Sequence, residues 1–218
     1  MTSRGGQRTR DDARHWLPSQ GVDPAPLAEL NSECLGQLVL RAAETDTRAP
    51  APLLLSSLRG QWAAFPAHAV RRLSAAPFSL FDAGFASAPR WLEMRTRGVH
   101  ELPQRVEPAY FPIDMARPIT RRMLVYGWHL ARSRPRAACM VFGATMAGIE
   151  SLAACSLASL EAAADRNADS LRPRWSTQTS FWRELLLAAS AGTDRRLHEL
   201  LLGGVQRLAA ETLAAHAP

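Results

Sequence analysis

Apolar residues recur along this chain at three- and four-residue spacing, and no stretch sustains valine/isoleucine alternation, so the pattern predicts helices and no sheet. Prolines cut the helices short. A first helix is expected from about Asn31, a competent N-cap, with Leu35, Leu38, Val39 and Ala42 on one stripe, until Pro50 and Pro52 break it. A second carries Leu54, Leu55, Leu58 and Trp62 and is closed by Pro66, and a third runs from about Ala67 through Val70 and Leu73 to a stop before Pro77. Phe78 to Trp91 mixes apolar residues with Gly84 and Pro89, which predicts one short irregular helix. From Gly98 to Pro118 no stripe survives among Pro103, Pro108, Pro112 and Pro118.

The second half reads more sharply. Pro118 suits a first helical position, and Ile119, Met123, Tyr126 and Leu130 follow at helical spacing. Pro135 restarts the chain into a short helix ended by Gly143, and another helix is expected from about Met146 to Ala154. Ser156 caps a helix bearing Leu157, Leu160 and Ala164, and Ser180 is placed to cap one bearing Trp182, Leu185 and Leu186. The last helix, from about Asp194 to Ala214, turns Leu197, Leu200, Leu201, Val205, Leu208 and Leu213 inward. The fold class that follows is all-α: a compact multi-helix bundle with a short helix-turn-helix-like segment in its C-terminal half. Four regions are expected: a disordered arm over 1–25, a helical region over 26–97, a proline-rich connector over 98–117 and a helical domain over 118–218.

Composition narrows the function classes. With 47% hydrophobic and 21% charged residues the chain has an ordinary globular balance. The uncharged run from Ala137 to Ile149 falls short of the roughly 20 residues a spanning helix needs, and no apolar signal core lies near the start, so a soluble, cytoplasmic protein with no membrane partner is expected. All 26 basic residues are arginine. Residues 1–149 hold 19 of them against 12 acids, whereas 150–218 hold 7 against 8. Between Met115 and Ile149 there is no acid at all, yet Arg117, Arg121, Arg122, Arg132, Arg134 and Arg136 are present. Such a stretch suits phosphate backbones, an acidic partner or plain solvation.

Candidate chemistry is sparse. Cys34, Cys139 and Cys155 are far apart, without CxxC spacing, and read as small apolar residues in a reducing compartment. The six histidines are scattered, His198-Glu199 lacks the second histidine of a zinc protease helix, and no phosphate-cradling glycine loop or nucleophile elbow occurs. The six tryptophans, Trp16, Trp62, Trp91, Trp128, Trp175 and Trp182, read as core or interface anchors. No enzyme and no cofactor are expected.

One segment carries a resemblance. Tyr126–Asn167, YGWHLARSRPRAACMVFGATMAGIESLAACSLASLEAAADRN, resembles the core of the flagellar transcriptional activator subunit FlhD. Leu130, Ala138, Gly143, Leu152, Ala153, Ser156, Leu157, Leu160, Ala164 and Asn167 fall into that family's pattern without a gap, and Pro173-Arg174-Trp175 is similar to its aromatic–Arg–aromatic strand-like stretch. The resemblance implies an all-helical homo-oligomer, expected to be a homodimer, that activates promoters with a second subunit (FlhC). Leu130, Gly143, Leu152, Leu157 and Leu160 are its core or dimer candidates, and Arg195, Arg196, Arg174, Arg121 and Arg122 the candidates for DNA contact. The chain departs from the family in three places. Ser159 replaces a glutamine, no cysteine lies near Leu171, and the DNA-contacting Ser-Arg-Val turn reads Gly192-Thr193-Asp194, with Arg195 and Arg196 following. Residues 1–115 have no counterpart in the family. The function implied is a regulator acting on DNA alone or with an FlhC-like partner. A helical protein–protein adaptor of a secretion or motility system, without DNA contact, is the alternative.

Overall fold

Two prolines set the start of the chain's first helix. Pro24 stands at its N-cap and Pro26 within its first turn, where a missing N–H costs nothing, so α1 runs Ala25–Ala43 and begins before the expected Asn31. The computed structural model describes residues 23–44, 50–97 and 108–215. The expected arm thus lies outside the described residues but for its last three, as do 98–107 of the expected connector.

After α1 come α2 (Leu53–Ser57), α3 (Arg59–Ala63), α4 (Ala67–Ser74), β1 (Phe81–Asp82) and α5 (Ala88–Arg97). The C-terminal half adds α6 (Ile113–Ser133), α7 (Pro135–Phe142), α8 (Met146–Ala153), α9 (Leu157–Arg166), a short 3-10 helix (Ala168–Ser170), β2 (Arg172–Pro173), α10 (Thr179–Ser190) and α11 (Asp194–Ala214). The all-α class holds. The only strands among the described residues are β1 and β2, two residues each, paired antiparallel with Phe81 opposite Pro173 and Asp82 opposite Arg172.

Several helix boundaries follow the local signals. Gly143 closes α7 in the left-handed conformation at φ 56°. Thr145 caps α8, Ser156 caps α9 and Thr193 caps α11, each side-chain oxygen accepting the N–H three residues on. Others depart from the expectation. Pro118 lies inside α6, which begins at Ile113 behind an N-cap at Pro112, so the helix starts earlier than its proline suggests. The second expected helix is split in two at Leu58. Ser180 lies inside α10, which starts at Thr179 without a side-chain cap. Phe78–Phe85 is no helix: Ser79, Leu80 and Phe81 are covered and Phe81–Asp82 forms β1, whose pairing partner only the tertiary fold brings near. Leu213 is 73% exposed, since the buried stripe of α11 comprises Leu197, Leu201, Gly204 and Leu208.

The expected boundary between an N-terminal and a C-terminal region does not divide the core. Buried side chains form one cluster from Leu27 to Leu208. Helix α4 packs on α10, α5 on α8, and α1 on α6, while α6 is the central rod against which α7, α8 and α9 lie. Gly127 allows part of this closeness: a Cβ there would sit 2.5 Å from the Phe85 ring. Two aromatic groups fill the middle. Trp62, Trp182, Phe81 and Phe111 form one, and Phe85 stacks on Phe142, with Trp91 and Tyr126 beside them, in the other.

Candidate nucleic-acid interface

The arginines sort into three environments. The first is the seam between the two halves. Arg174, a candidate for DNA contact, is buried there: its Nε donates to the Ser79 carbonyl (2.8 Å), its Nη2 to the Phe142 carbonyl (2.5 Å), and Asp82 lies 3.9 Å away. Burial pulls its pKa down, and the charges of Asp82 and Glu211 oppose that shift. A side chain 6% exposed and engaged on two carbonyls cannot meet a phosphate, so the expectation is corrected: Arg174 is a structural strut. Beside it, Trp175 takes φ 50°, a conformation rare for a bulky residue, and is held there by packing on Phe78 and Phe181 and by donating to Glu211 (2.6 Å). Asn31 belongs to the same seam. Its amide donates to the carbonyls of Ser74 and Phe78 and its oxygen accepts from the Leu80 N–H, so the residue expected to cap a helix ties down a loop instead.

The second environment is ion-paired surface. The acid-free stretch in sequence is not acid-free in space. Arg121 and Arg117 share Asp165 of α9, at 3.1 and 3.7 Å, and Arg122 binds Glu33 of α1. Arg195 and Arg196 stand in the first turn of α11, exposed, with Arg195 on Glu199 (3.0 Å) and Arg196 on Glu184 and Glu199. The hydrogen bond from Arg195, foremost among several contacts, holds the Glu199 carboxyl below its ordinary range. Four of the five DNA-contact candidates are therefore exposed but partly neutralised.

The third environment is the arc between α6 and α7. Arg132 and Arg136 are exposed and Arg134 half-buried. The Arg132 guanidinium lies 4.6 Å over the half-buried Trp128 ring, whose Nε1 donates to the Cys155 carbonyl. Among the described residues no carboxylate pairs with any of these three arginines. The charge pattern alone groups them with Arg117, Arg121 and Arg122. What separates them is where the acids of other helices fall.

Of the core or dimer candidates, Leu130, Leu152 and Leu160 are buried, and Gly143 sits under Leu208 and Arg174. Leu157 is 46% exposed. Cys34 is fully enclosed in α1, and burial drives its thiol pKa up, as it does for the half-buried Cys139. No group of three or more His, Cys, Asp or Glu positioned for a metal occurs among the described residues, and no helix there is long and apolar enough to cross a membrane. Comparison with protein-family models, with curated proteins and with solved structures returns no match to the chain.

Proposed function

We propose that this chain is a transcription regulator of the FlhD-like type, a homodimer that acts on DNA alone or with a second, FlhC-like subunit. The observation that carries this reading is the order and capping of elements across 126–175. Helix α6 ends just past the buried Leu130. An αL glycine closes α7, α8 places Leu152 inside, a serine cap opens α9 with Leu160 inside, and a short extended segment follows at Arg172–Pro173. That is the order the resemblance implies. The exposed Leu157, beside the α9 cap, is the one leucine of the matched set free to meet a second copy.

The test is fluorescence anisotropy of the purified protein on a generic duplex and on its own upstream region, at about 50 and 200 mM salt. Binding that collapses across that range, tighter on one probe, is the expected result. Leu157→Arg is expected to convert a dimer to a monomer by sedimentation without unfolding it, and an unchanged mass for that variant removes Leu157 from the dimer interface. The adaptor reading has its own support: Arg195 and Arg196, at the turn where the family touches DNA, are already occupied by Glu199 and Glu184. Absence of binding to both probes at low salt, together with capture of one defined protein partner, decides for the adaptor.

A further inference from the structure

Resting on the DNA reading above, we infer that the nucleic-acid backbone is met by the α6–α7 arc, through Arg132, Arg134 and Arg136, and not by the first turn of α11. Three observations converge on that arc. First, charge: the three arginines lie within five residues, none is ion-paired among the described residues, and all five DNA-contact candidates read from the sequence share their charge with a carboxylate. Second, an unpaired donor: Nη1 of Arg134 is buried and no acceptor among the described residues reaches it. That nitrogen is covered and does not itself touch a phosphate, but with no described acceptor on it the Arg134 charge stays uncompensated and adds to the positive potential of the arc. Third, backbone: Arg134 is the N-cap of α7 and supplies no side-chain cap, and the first intrahelical bond from this turn is Ala138 N–H to Arg134 O. The N–H groups of Arg136 and Ala137 thus precede the helical ladder and point from its positive end.

The α6 side of the arc sets the geometry. Arg134 N–H closes α6 on Leu130 O, and Ser133 Oγ donates to His129 O, so the last turn of α6 keeps its own carbonyls partly engaged. Trp128 then serves as a platform that holds Arg132 outward over its ring, while His129 meets the Trp128 edge. Phosphodiester oxygens are the matching ligand because they carry one charge per nucleotide, repeat along a chain and accept from guanidinium and backbone N–H alike. Contacts of this kind to the phosphate backbone set the register of the protein on the duplex and carry no sequence information themselves.

The test measures duplex binding by the full-length protein across about 50 to 200 mM salt for four proteins: wild type, R132A/R134A/R136A, R195A/R196A and R136E. Arg136→Glu guards against misfolding, since an acid in the first turn of a helix favours the helix while inverting the charge at the site. The triple variant is expected to bind about tenfold or more weakly and to flatten the log K against log salt slope by roughly 2 to 3, at about 0.9 for each phosphate no longer neutralised. R136E is expected to weaken binding at least about threefold, and R195A/R196A to leave the slope within about 0.5 of wild type. A triple variant that melts like wild type and keeps its affinity and slope overturns the arc while leaving the DNA reading in place, as does a slope that collapses in R195A/R196A. Wild type that binds neither probe at low salt overturns both.

Discussion

The seam at Ser79–Asp82 and Arg172–Trp175 and the arc between α6 and α7 are both organised by arginine, and the side chain does opposite work in them. In the seam, one guanidinium is stripped of water and compensated by two carbonyls and a nearby carboxylate, so its charge is consumed inside the protein. In the arc, two guanidiniums are exposed and the third is half-buried, one is stacked on Trp128 and none is paired with a described carboxylate, so their charge is not consumed inside the protein. Sequence context does not distinguish the two cases: Arg-Pro-Arg occurs in both, as 134–136 and as 172–174. What separates them is whether a second segment of chain closes over the arginine. Here the Ser79–Asp82 segment and the α7 C-terminus close over Arg174, whereas Arg132 and Arg136 of the arc stay exposed and Arg134 is only half-buried.

The strongest way to break this comparison is at the seam. Arg174→Ala leaves the Ser79 and Phe142 carbonyls and the Asp82 carboxylate without their partner in a buried site, and is expected to cost about 3–5 kcal/mol in urea unfolding. A cost below about 1 kcal/mol would show that the site rewets and that Arg174 is not a strut. Asn31→Leu keeps the volume near constant but strands the Leu80 N–H and two carbonyls, for an expected destabilisation of about 2–4 kcal/mol in the same measurement. Gly143→Ala sharpens the other end of the seam. It forces a Cβ onto φ 56°, at about 1–2 kcal/mol, while the clash with Leu208 Cδ2 adds little because that methyl lies at the end of a flexible side chain. Ser156→Ala removes the α9 cap and is expected to lower stability by about 1 kcal/mol, read from the thermal midpoint.

The smallest effect lies at the turn of α11. Glu199 has a folded-state pKa held below its unfolded value by Arg195, so its contribution is present above the ordinary glutamate range and is lost as pH falls through the depressed folded value. Glu199→Gln is accordingly expected to show a shallower decline of stability between neutral pH and the acid limb than wild type. Identical acid limbs for the two proteins would show that this exposed interaction contributes nothing. None of the surface arginine variants is expected to approach the cost of Arg174→Ala, which is the contrast between the two regions in measurable form.

Much of the secondary structure was legible because its determinants are local. The closing glycine of α7, the serine cap of α9, the proline start of α7 and the bounds of α11 need only neighbours in sequence. Three of the errors share one cause. Asn31 has the chemistry of a cap, but the α4–β1 loop, more than 40 residues away in sequence, offers it three partners at once. Phe78–Phe85 lacks strand alternation because its order comes from a partner at Arg172–Pro173, and a two-residue pair leaves no periodic trace. Arg121 and Arg122 looked like members of an acid-free patch because their acids, Asp165 and Glu33, come from other helices.

The sequence by itself determined the all-α class, the capped helices of the C-terminal half and the apolar stripes that form the core, since helix propensity, capping and periodicity act over a few residues. The tertiary structure alone decided which arginines carry usable charge, that the two halves share one core, and that Arg174 lies within it. Electrostatic partnership and burial depend on distances between segments far apart in sequence, and only the folded chain sets those distances.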